Sequence, residues 1–561
     1  MLRAISWFSI LSLSLSLAAC GDEKDGTSAA NEEDGGTGGT EDGGMQDPPR
    51  PAAGGIAVRK IYANQGVQVP IAEGDAWVGA SGRPTVLAYD RTTMIRVLVD
   101  VAEDWEPRDI DLDFVLEYED GEVLSDTVTT TISKSSLETN LSSTINIPLP
   151  GEYVRTGMKF QVSLLENDPY ATPPAAIGPT VSPATPEFVG IEGLNRFIAV
   201  NVIPIKHDIG AGCAEAPQPS ERAISDMAKW LKAQNPVNAV YMNVLEPVVW
   251  DEPLENLFTF SPVLSYLAQL REQLNIAPGD YVFGIIDPCD DGPSGVGGEA
   301  IDIPGPPSMF NDTSRVSVGL WSEISAGESD TTVGNYAAET FVHEIGHTQG
   351  RRHSPCGEAG GPDPGYPYPG GIIGAYSWKF IEGRANEFFT PDGAYDYMGY
   401  CDPTSVSPYV YNQVLGYITT ISGWGAPEGQ SPTADSGMPG DDEASRQILV
   451  GLLDADGQTH WHTANGIVDE REWSTSAVAI LTTEDDRYEL PVVATVRGDT
   501  DGMRVAMNIP EALEGNLPSV LSVQLTGTLE DRSLTMYEAS GEEIRAEIAA
   551  NFHRISTYIS R

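Results

Sequence analysis

Basic residues are scarce in this chain. Among its 561 residues, 32 Lys and Arg stand against 82 Asp and Glu, which gives a formal net charge of -50 at pH 7. Binding to nucleic acid, or to an anionic membrane through a basic face, needs clustered Lys and Arg. The composition therefore excludes a nucleic-acid partner and predicts an acidic, soluble surface.

Long apolar runs are also missing, apart from one at the N-terminus. Residues 4–17 are almost wholly apolar or Ser, follow Arg3 and lead into Leu-Ala-Ala-Cys, which ends at Cys20. This run is too short for a membrane-spanning helix, which needs about 20 residues, and is typical of an export signal. Its end resembles the lipobox of bacterial lipoproteins. The resemblance implies lipidation of Cys20 and an exported protein of the outer membrane or cell surface, held to the membrane by lipid alone.

Cysteine is equally sparse, with five residues in all. Setting Cys20 aside leaves an even number in an exported chain, so two disulfides are expected. The sequence permits three pairings. We favour Cys356 with Cys401, which flank the candidate active site described below, and Cys213 with Cys289, which lie together before it. Cys213 as a latency thiol on a metal is an alternative, but the surrounding sequence lacks a latency motif.

The chain is too long for one ordinary hydrophobic core. Changes in residue composition and in the spacing of apolar residues divide it into several parts. Apolar residues alternate in Leu112, Phe114 and Leu116, and again beyond Met503, which is typical of antiparallel strands in β-sandwiches. The predicted parts are a signal peptide (1–19), a disordered acidic Gly-rich tether (20–55), an N-terminal β-sandwich domain (56–186), a middle domain (187–424), a linker (425–443) and a C-terminal β-rich domain (444–561).

Strands alternate with helices in the middle domain. Residues 197–205 suit a buried strand, residues 220–232 suit an amphipathic helix with Ser220 as N-cap, and a second helix begins at Ser261. The strand 281–286 follows. This order predicts an α/β layer with a mixed sheet.

Three of the seven histidines fall within one segment, His343-Glu344-Ile345-Gly346-His347-Thr348-Gln349-Gly350-Arg351-Arg352-His353. A spacing of four places His343 and His347 on one helical face. Gly350 permits the positive φ that ends the helix and lets His353 return as a third ligand. Three nitrogen ligands leave a position open for water, which is the arrangement of a catalytic Zn2+.

Glu344 adds the group that such a site needs for chemistry. Zinc lowers the pKa of its bound water towards about 7, and a carboxylate beside the first ligand can take the proton as a general base. The fixed positions of this H-E-x-x-H-x-x-G-x-x-H pattern would coincide by chance in roughly one such chain in 10^5. The alternative is a buried helix whose histidines pack without metal.

The pattern resembles that of the metzincin clan of zinc metalloproteases. These enzymes carry a Met-containing tight turn below the metal, and Tyr-Asp-Tyr-Met-Gly-Tyr-Cys around Met398 is similar to that turn. The resemblance implies that Met398 lies beneath the metal. It also implies that Tyr400 binds zinc or stabilises the oxyanion, as in astacins, serralysins and pappalysins; simple packing is the alternative. It assigns Val316–Leu320 as the edge strand that pairs with an extended substrate.

The resemblance extends to two subfamilies, pappalysin-like and M66-like, and covers about 60 residues. It implies a metzincin-like catalytic domain at 187–424 between two β-sandwich domains. The expected function is an exported, lipid-anchored zinc metalloendopeptidase that cleaves extracellular proteins or glycoproteins. One alternative is a surface binding protein or adhesin with a silent metalloprotease-like domain, and another is a metal-dependent hydrolase of non-peptide amides.

Two further segments offer weaker metal sites. The carboxylates of residues 287–292 suit Ca2+, but a solvated turn is the better interpretation. His460 and His462 stand at alternate strand positions, where we expect surface residues rather than a second metal site.

Overall fold

A computed structural model describes residues 3–4 and 49–560, except residues 75, 211, 214, 255–259, 290–295, 310, 322–334, 385, 426–445, 470, 472, 475, 499, 514–516, 530, 531 and 536. Cys20, most of the tether and almost all of the 425–443 linker lie outside the described residues. So do residues 290–292, half of the weak calcium candidate at 287–292.

The N-terminal domain is a β-sandwich, as its alternating sequence predicts. Its strands are β1 Arg3–Ala4, β2 Ile56–Asn64, β3 Gln68–Glu73, β4 Ala76–Trp77, β5 Leu87–Ala88, β6 Thr93–Val101, β7 Arg108–Glu117, β8 Val123–Ile132, β9 Ile145–Leu149, β10 Lys159–Glu166, β11 Val181–Phe188 and β12 Ile191–Glu192. Two sheets, β4-β3-β2-β6-β9 and β1-β8-β7-β10-β11, enclose one core. Leu112, Phe114 and Leu116 point into it from β7.

The middle domain is an α/β layer. Its elements are β13 Phe197–His207, α1 Glu221–Gln234, β14 Ala239–Val244, β15 Val248–Trp250, α2 Ser261–Gln273, β16 Tyr281–Ile286, β17 Gly298–Ala300, β18 Val316–Leu320, α3 Asn335–Thr348, β19 Ser377–Lys379, β20 Glu387–Phe389, β21 Tyr395–Asp396, β22 Thr404–Ser405 and α4 Pro408–Ser422. Ser220 caps α1 by accepting a hydrogen bond from the Ala223 N–H at 3.1 Å, as predicted.

The central sheet has the order β14-β13-β16-β18-β17, with β15 also paired to β13. Neighbours are parallel except β17, which runs antiparallel to β18. Alternate residues of β13 enter different cores: Val200 and Val202 pack with α1, α3 and α4, whereas Ile203 and Ile205 pack with α2. The sheet thus has an α3 face and an α2 face.

The assignment of Val316–Leu320 as the edge strand is wrong. This strand, β18, lies between β16 and β17, and the outermost strand is β17. No sequence pattern indicates β17, because this strand is only Gly-Glu-Ala, without alternating apolar residues. Any extended peptide that adds to this side of the sheet pairs with β17.

The C-terminal domain also contains two sheets, β24-β23-β28-β27 and one built on β26-β25-β29, which enclose a core. Its elements are β23 Gln447–Leu453, β24 Thr459–Asn465, β25 Ala477–Thr482, β26 Arg487–Pro491, β27 Val493–Val496, β28 Met503–Asn508, β29 Ser522–Leu529, β30 Arg532–Ser533, β31 Glu538–Ser540 and α5 Gly541–Ile559. The α5 helix begins with a capping box of Ser540 and Glu543, which the sequence analysis missed.

This domain packs directly on the α/β layer. Leu452 and Ile555 belong to the same core as α2 and the α2 face of the sheet. Of the helices in the described ranges, none combines the length and apolar character needed to cross a membrane.

The expectation of surface positions for His460 and His462 is wrong for His462, which is fully buried. His460 instead lies between Asp454 and Glu547, with nitrogen–oxygen distances of 3.5 and 3.2 Å. Neither histidine belongs to the one histidine cluster with metal-binding geometry found among the described residues.

Replacing His462 with Leu tests the cost of burying this imidazole. Neither of its ring nitrogens has a hydrogen-bond partner in the described part of the chain. Burial, aided by the Arg504 guanidinium, lowers the pKa of His462 to about 3 from 6.5. Between these values the unfolded chain binds a proton that the folded chain rejects, so His462 destabilises the fold as pH falls. The variant should gain about 1.4 kcal/mol over wild type for each pH unit below 6.5.

Urea unfolding followed by tryptophan fluorescence at pH 7 and pH 5 measures this difference. His553→Leu, on the exposed face of α5, is the matched control and should follow wild type. Parallel pH dependence in wild type and His462→Leu would contradict the prediction.

Candidate metal centre

Helix α3 presents the first two histidines of the motif from one face. The Nε2 atoms of His343 and His347 are 3.0 Å apart, as the spacing of four predicts. The opposite face of the helix is buried through Ala338, Phe341 and Ile345. Apolar packing of α3 against the sheet therefore fixes where the two imidazoles lie.

The turn after α3 brings in the third histidine. Gly350 has a φ of 76°, the left-handed conformation that the motif predicted. A side chain there would also collide with the Pro304 carbonyl. Beyond the turn, the His353 Nε2 lies 3.1 Å from the His347 Nε2. All three histidines are buried.

In each ring the other nitrogen, Nδ1, is hydrogen-bonded to a main-chain carbonyl oxygen. The Nδ1 atoms of His343, His347 and His353 lie 2.8, 2.6 and 2.6 Å from the carbonyl oxygens of Tyr397, Arg351 and Gly360. Because a carbonyl only accepts, these partners assign the hydrogen to Nδ1 and leave the Nε2 lone pair available in each neutral ring.

A divalent cation fits this arrangement. Three Nε2 lone pairs that face one another repel unless a positive charge lies between them. Tetrahedral zinc with Zn–N bonds of about 2.0–2.1 Å places its nitrogens about 3.3 Å apart, close to the distances in the cluster. The donor set of three neutral imidazoles suits Zn2+ and gives a site with room for a fourth ligand.

Glu344 and Tyr400 border the cluster. Glu344 is buried and packs against β17, since a Cβ built on Gly298 would lie 2.9 Å from the Glu344 Cγ. The Tyr400 ring lies 5.6 Å from the His343 ring and 4.9 Å from the His353 ring, between centroids. Tyr400 is 47% exposed, so it does not fill a core.

The loop around Met398 supports the cluster from below. Met398 is fully buried against α3, where a Cβ on Gly346 would collide with its Sδ. The same loop supplies the Tyr397 carbonyl that holds His343. Gly346 occupies a variable position of the motif, so the sequence pattern did not reveal its packing role.

Asp396 organises this loop and was missed by the sequence analysis. Its carboxylate accepts hydrogen bonds from the N–H groups of Met398 and Ser407 at 2.9 and 2.8 Å. Burial raises the pKa of Asp396 to about 6, although these hydrogen bonds favour the ionised form. The only sequence signal was an acidic residue between two tyrosines, which does not distinguish a buried carboxylate from a solvated one.

Both favoured disulfides are confirmed. Cys356 is bonded to Cys401, and Cys213 to Cys289. The first bond joins the segment after His353 to the loop after Met398. The second lies outside the histidine cluster, so Cys213 is not a ligand.

Replacing Gly346 with Ala tests the contact between α3 and Met398. The added methyl group should displace the Met398 loop and loosen the Tyr397 carbonyl from His343. We expect a loss of about 1–3 kcal/mol in stability from overpacking and weaker zinc binding. Thermal unfolding and zinc titration against a chelator measure the two effects. Gly416→Ala is the control, because a Cβ there meets nothing within 4 Å. Unchanged zinc affinity in Gly346→Ala would contradict the supporting role of this loop.

No protein-family model matches the chain, and no curated protein matches it either. Among solved structures, a chaperone-substrate complex matches 49% of this chain and 39% of that chain, at 12% identity and a TM-score of 0.22. A cycloisomaltooligosaccharide glucanotransferase of Paenibacillus sp. matches 82% of this chain and 70% of that chain, at 9% identity and a TM-score of 0.14. Likenesses this low carry no argument about fold or function.

Proposed function

We propose that this chain is a zinc-dependent endopeptidase that cleaves extracellular proteins or glycoproteins. One observation carries the proposal: three buried imidazoles turn their Nε2 atoms toward one another while main-chain carbonyls hold every Nδ1. His343, His347 and His353 are the proposed ligands of a single Zn2+.

Bound zinc would supply a Lewis acid that polarises the substrate carbonyl and lowers the pKa of a water molecule. Glu344 is the proposed general base: its carboxylate takes the water proton and passes it to the leaving amine. Its burial between α3 and β17 restricts its conformations and excludes bulk water. A site that only binds metal has no chemical need for a carboxylate beside its first ligand, so the presence of Glu344 favours turnover over binding alone.

Substrate binding is assigned to β17 and oxyanion stabilisation to Tyr400. The outer edge of β17 offers main-chain groups to an extended peptide, and its Gly298 adjoins Glu344. The Tyr400 ring lies next to two proposed ligands, and its hydroxyl can donate a hydrogen bond to the developing negative charge.

The proposed enzyme type is metzincin, either M66-like or pappalysin-like, on the strength of the motif and of the buried Met398 beneath α3. The proposed location is the cell surface or outer membrane, with the lipid on Cys20 as the membrane attachment.

Replacing Glu344 with Gln should abolish peptide hydrolysis and keep the metal. Loss of a general base costs about 10²–10⁴-fold in rate, whereas the three imidazoles are untouched. Digestion of casein and mucin measures activity, and metal analysis measures zinc. Glu339→Gln, on the same helix, is the matched control and should cleave normally, because the amide oxygen can still accept the hydrogen bond from Thr404.

The outcomes separate the competing functions. Equal cleavage by wild type and Glu344→Gln would refute the mechanism. Wild-type protein that holds zinc but cleaves neither casein, mucin nor a peptide library would favour a surface binding protein.

Replacing Cys20 with Ser tests the lipid attachment. Without the thiol no lipid can be joined at this position, so the variant should move from the membrane fraction to the soluble fraction or the medium. Fractionation and immunoblotting measure the change. Membrane association equal to that of wild type would contradict the assignment.

A further inference from the structure

The loop between β27 and β28, described at residues 497, 498 and 500–502 and called the 497–502 loop, is bound into the α/β layer through Arg497. This side chain is fully buried, and its Nη1 donates to the Ser261 Oγ at 2.5 Å and to Asp454 at 3.1 Å. Its Nη2 forms an ion pair with Glu299 of β17. The Thr500 hydroxyl adds a hydrogen bond to the same Glu299 carboxylate at 3.1 Å.

Glu299 places this ion pair on the α2 face of the sheet. In the antiparallel pair, Glu299 lies opposite Val318, whose side chain belongs to the α2 core. The N–H of Phe260, just before α2, donates to the Glu299 carboxylate at 2.6 Å. Arg497 therefore lies on the face of the sheet opposite to α3.

The next residue, Gly498, lies against a proposed zinc ligand on the α3 face. A Cβ built on it would be 2.5, 2.6 and 2.7 Å from the Nε2, Cδ2 and Cε1 atoms of His347. Near-equal distances place that Cβ over the face of the ring, because a position beyond Nε2 in the ring plane would be clearly farther from both carbons. Only glycine fits here without moving the loop or the imidazole.

Two consecutive residues thus contact opposite faces of the sheet. Because Arg497 and Thr500 both contact Glu299 of β17, the loop lies against this outermost strand of the sheet. The strands on either side of the loop, β27 and β28, are also attached to the segment that follows β17. Thr495 of β27 and Arg504 of β28 both contact the buried Asp302 carboxylate. The 497–502 loop therefore covers the end of the β17 edge that leads from Glu299 to Asp302.

We propose that the 497–502 loop is a wall that closes one end of the substrate groove along β17. The proposal rests on the proposed peptidase function. A peptide paired with β17 then extends freely on one side of the metal, while the other side meets the loop within a short distance. The C-terminal domain is accordingly a part of the active site that sets which bond of a substrate is reached.

The buried ion pair between Arg497 and Glu299 favours a loop that stays in place over one that moves away from β17. Arg497 and Glu299 are both fully buried, and separating a buried ion pair leaves each charge uncompensated unless water reaches it. Opening would also break the hydrogen bond from the Thr500 hydroxyl to Glu299. A displaceable plug would be expected to rest on exposed or apolar contacts.

Co2+ binding tests the position of the loop without any need for activity. Gly498→Ala should perturb the visible absorption bands of the Co2+-loaded protein and lower its Co2+ affinity about tenfold or more, the range seen when groups around a metal ligand are disturbed. Gly502→Ala is the control, since the three atoms nearest to a Cβ there belong to Leu453, Thr500 and Arg497 of its own domain. A Gly498→Ala protein with the spectrum and affinity of Gly502→Ala would overturn the proposal. Circular dichroism verifies that both variants are folded.

Peptide ladders test the wall on the wild-type protein, so the test stands even if Gly498→Ala does not fold. A cleaved peptide is lengthened residue by residue at its N-terminus in one series and at its C-terminus in the other. We expect kcat/KM to keep rising in one series and to level off early in the other. Similar gains in both series would overturn the wall. Absence of any cleavage would refute the peptidase function and the wall with it, while the Co2+ comparison would still show whether the loop contacts His347.

Discussion

The convergence of three imidazole nitrogens is the constraint on which the middle domain depends. Each ring is fixed twice, by its place on the chain and by a carbonyl on its Nδ1. These carbonyls belong to different segments: the Met398 loop, the turn after α3 and the segment beyond His353. The helix, the Gly350 turn and the Met398 loop must therefore be correct together, since an error in any one moves a nitrogen away from the common centre.

The three domains contribute unequally to this centre. The α/β layer supplies the histidines and Glu344, and the C-terminal domain approaches through Gly498 and the buried Arg497. The N-terminal sandwich contacts the layer elsewhere: the Arg91 guanidinium donates to main-chain carbonyls at the end of α1. This division is why the C-terminal domain, rather than the N-terminal one, is the candidate for shaping substrate access.

Features with a local physical signature could be predicted from the sequence. The Ser220 cap, the Gly350 turn and the alternation of Leu112, Phe114 and Leu116 each follow from backbone preferences or burial of a single segment. The edge strand could not be predicted, because β17 is defined by its neighbours and not by its own three residues. Gly498 was equally hidden: nothing in a glycine between Arg and Asp indicates contact with a histidine about 150 residues earlier in the chain.

The disulfide between Cys356 and Cys401 makes the assembly of the histidine cluster depend on the redox state of the compartment. It joins the segment that carries His353 to the loop that lies beneath α3. Thiols stay reduced in a reducing cytosol and pair in oxidising compartments. A chain that has not left the cytosol therefore lacks the covalent tie between its third histidine and its Met398 loop. Under the proposed peptidase function, closing this bond only after export would keep the newly made protein from acting on the proteins of the cell that makes it.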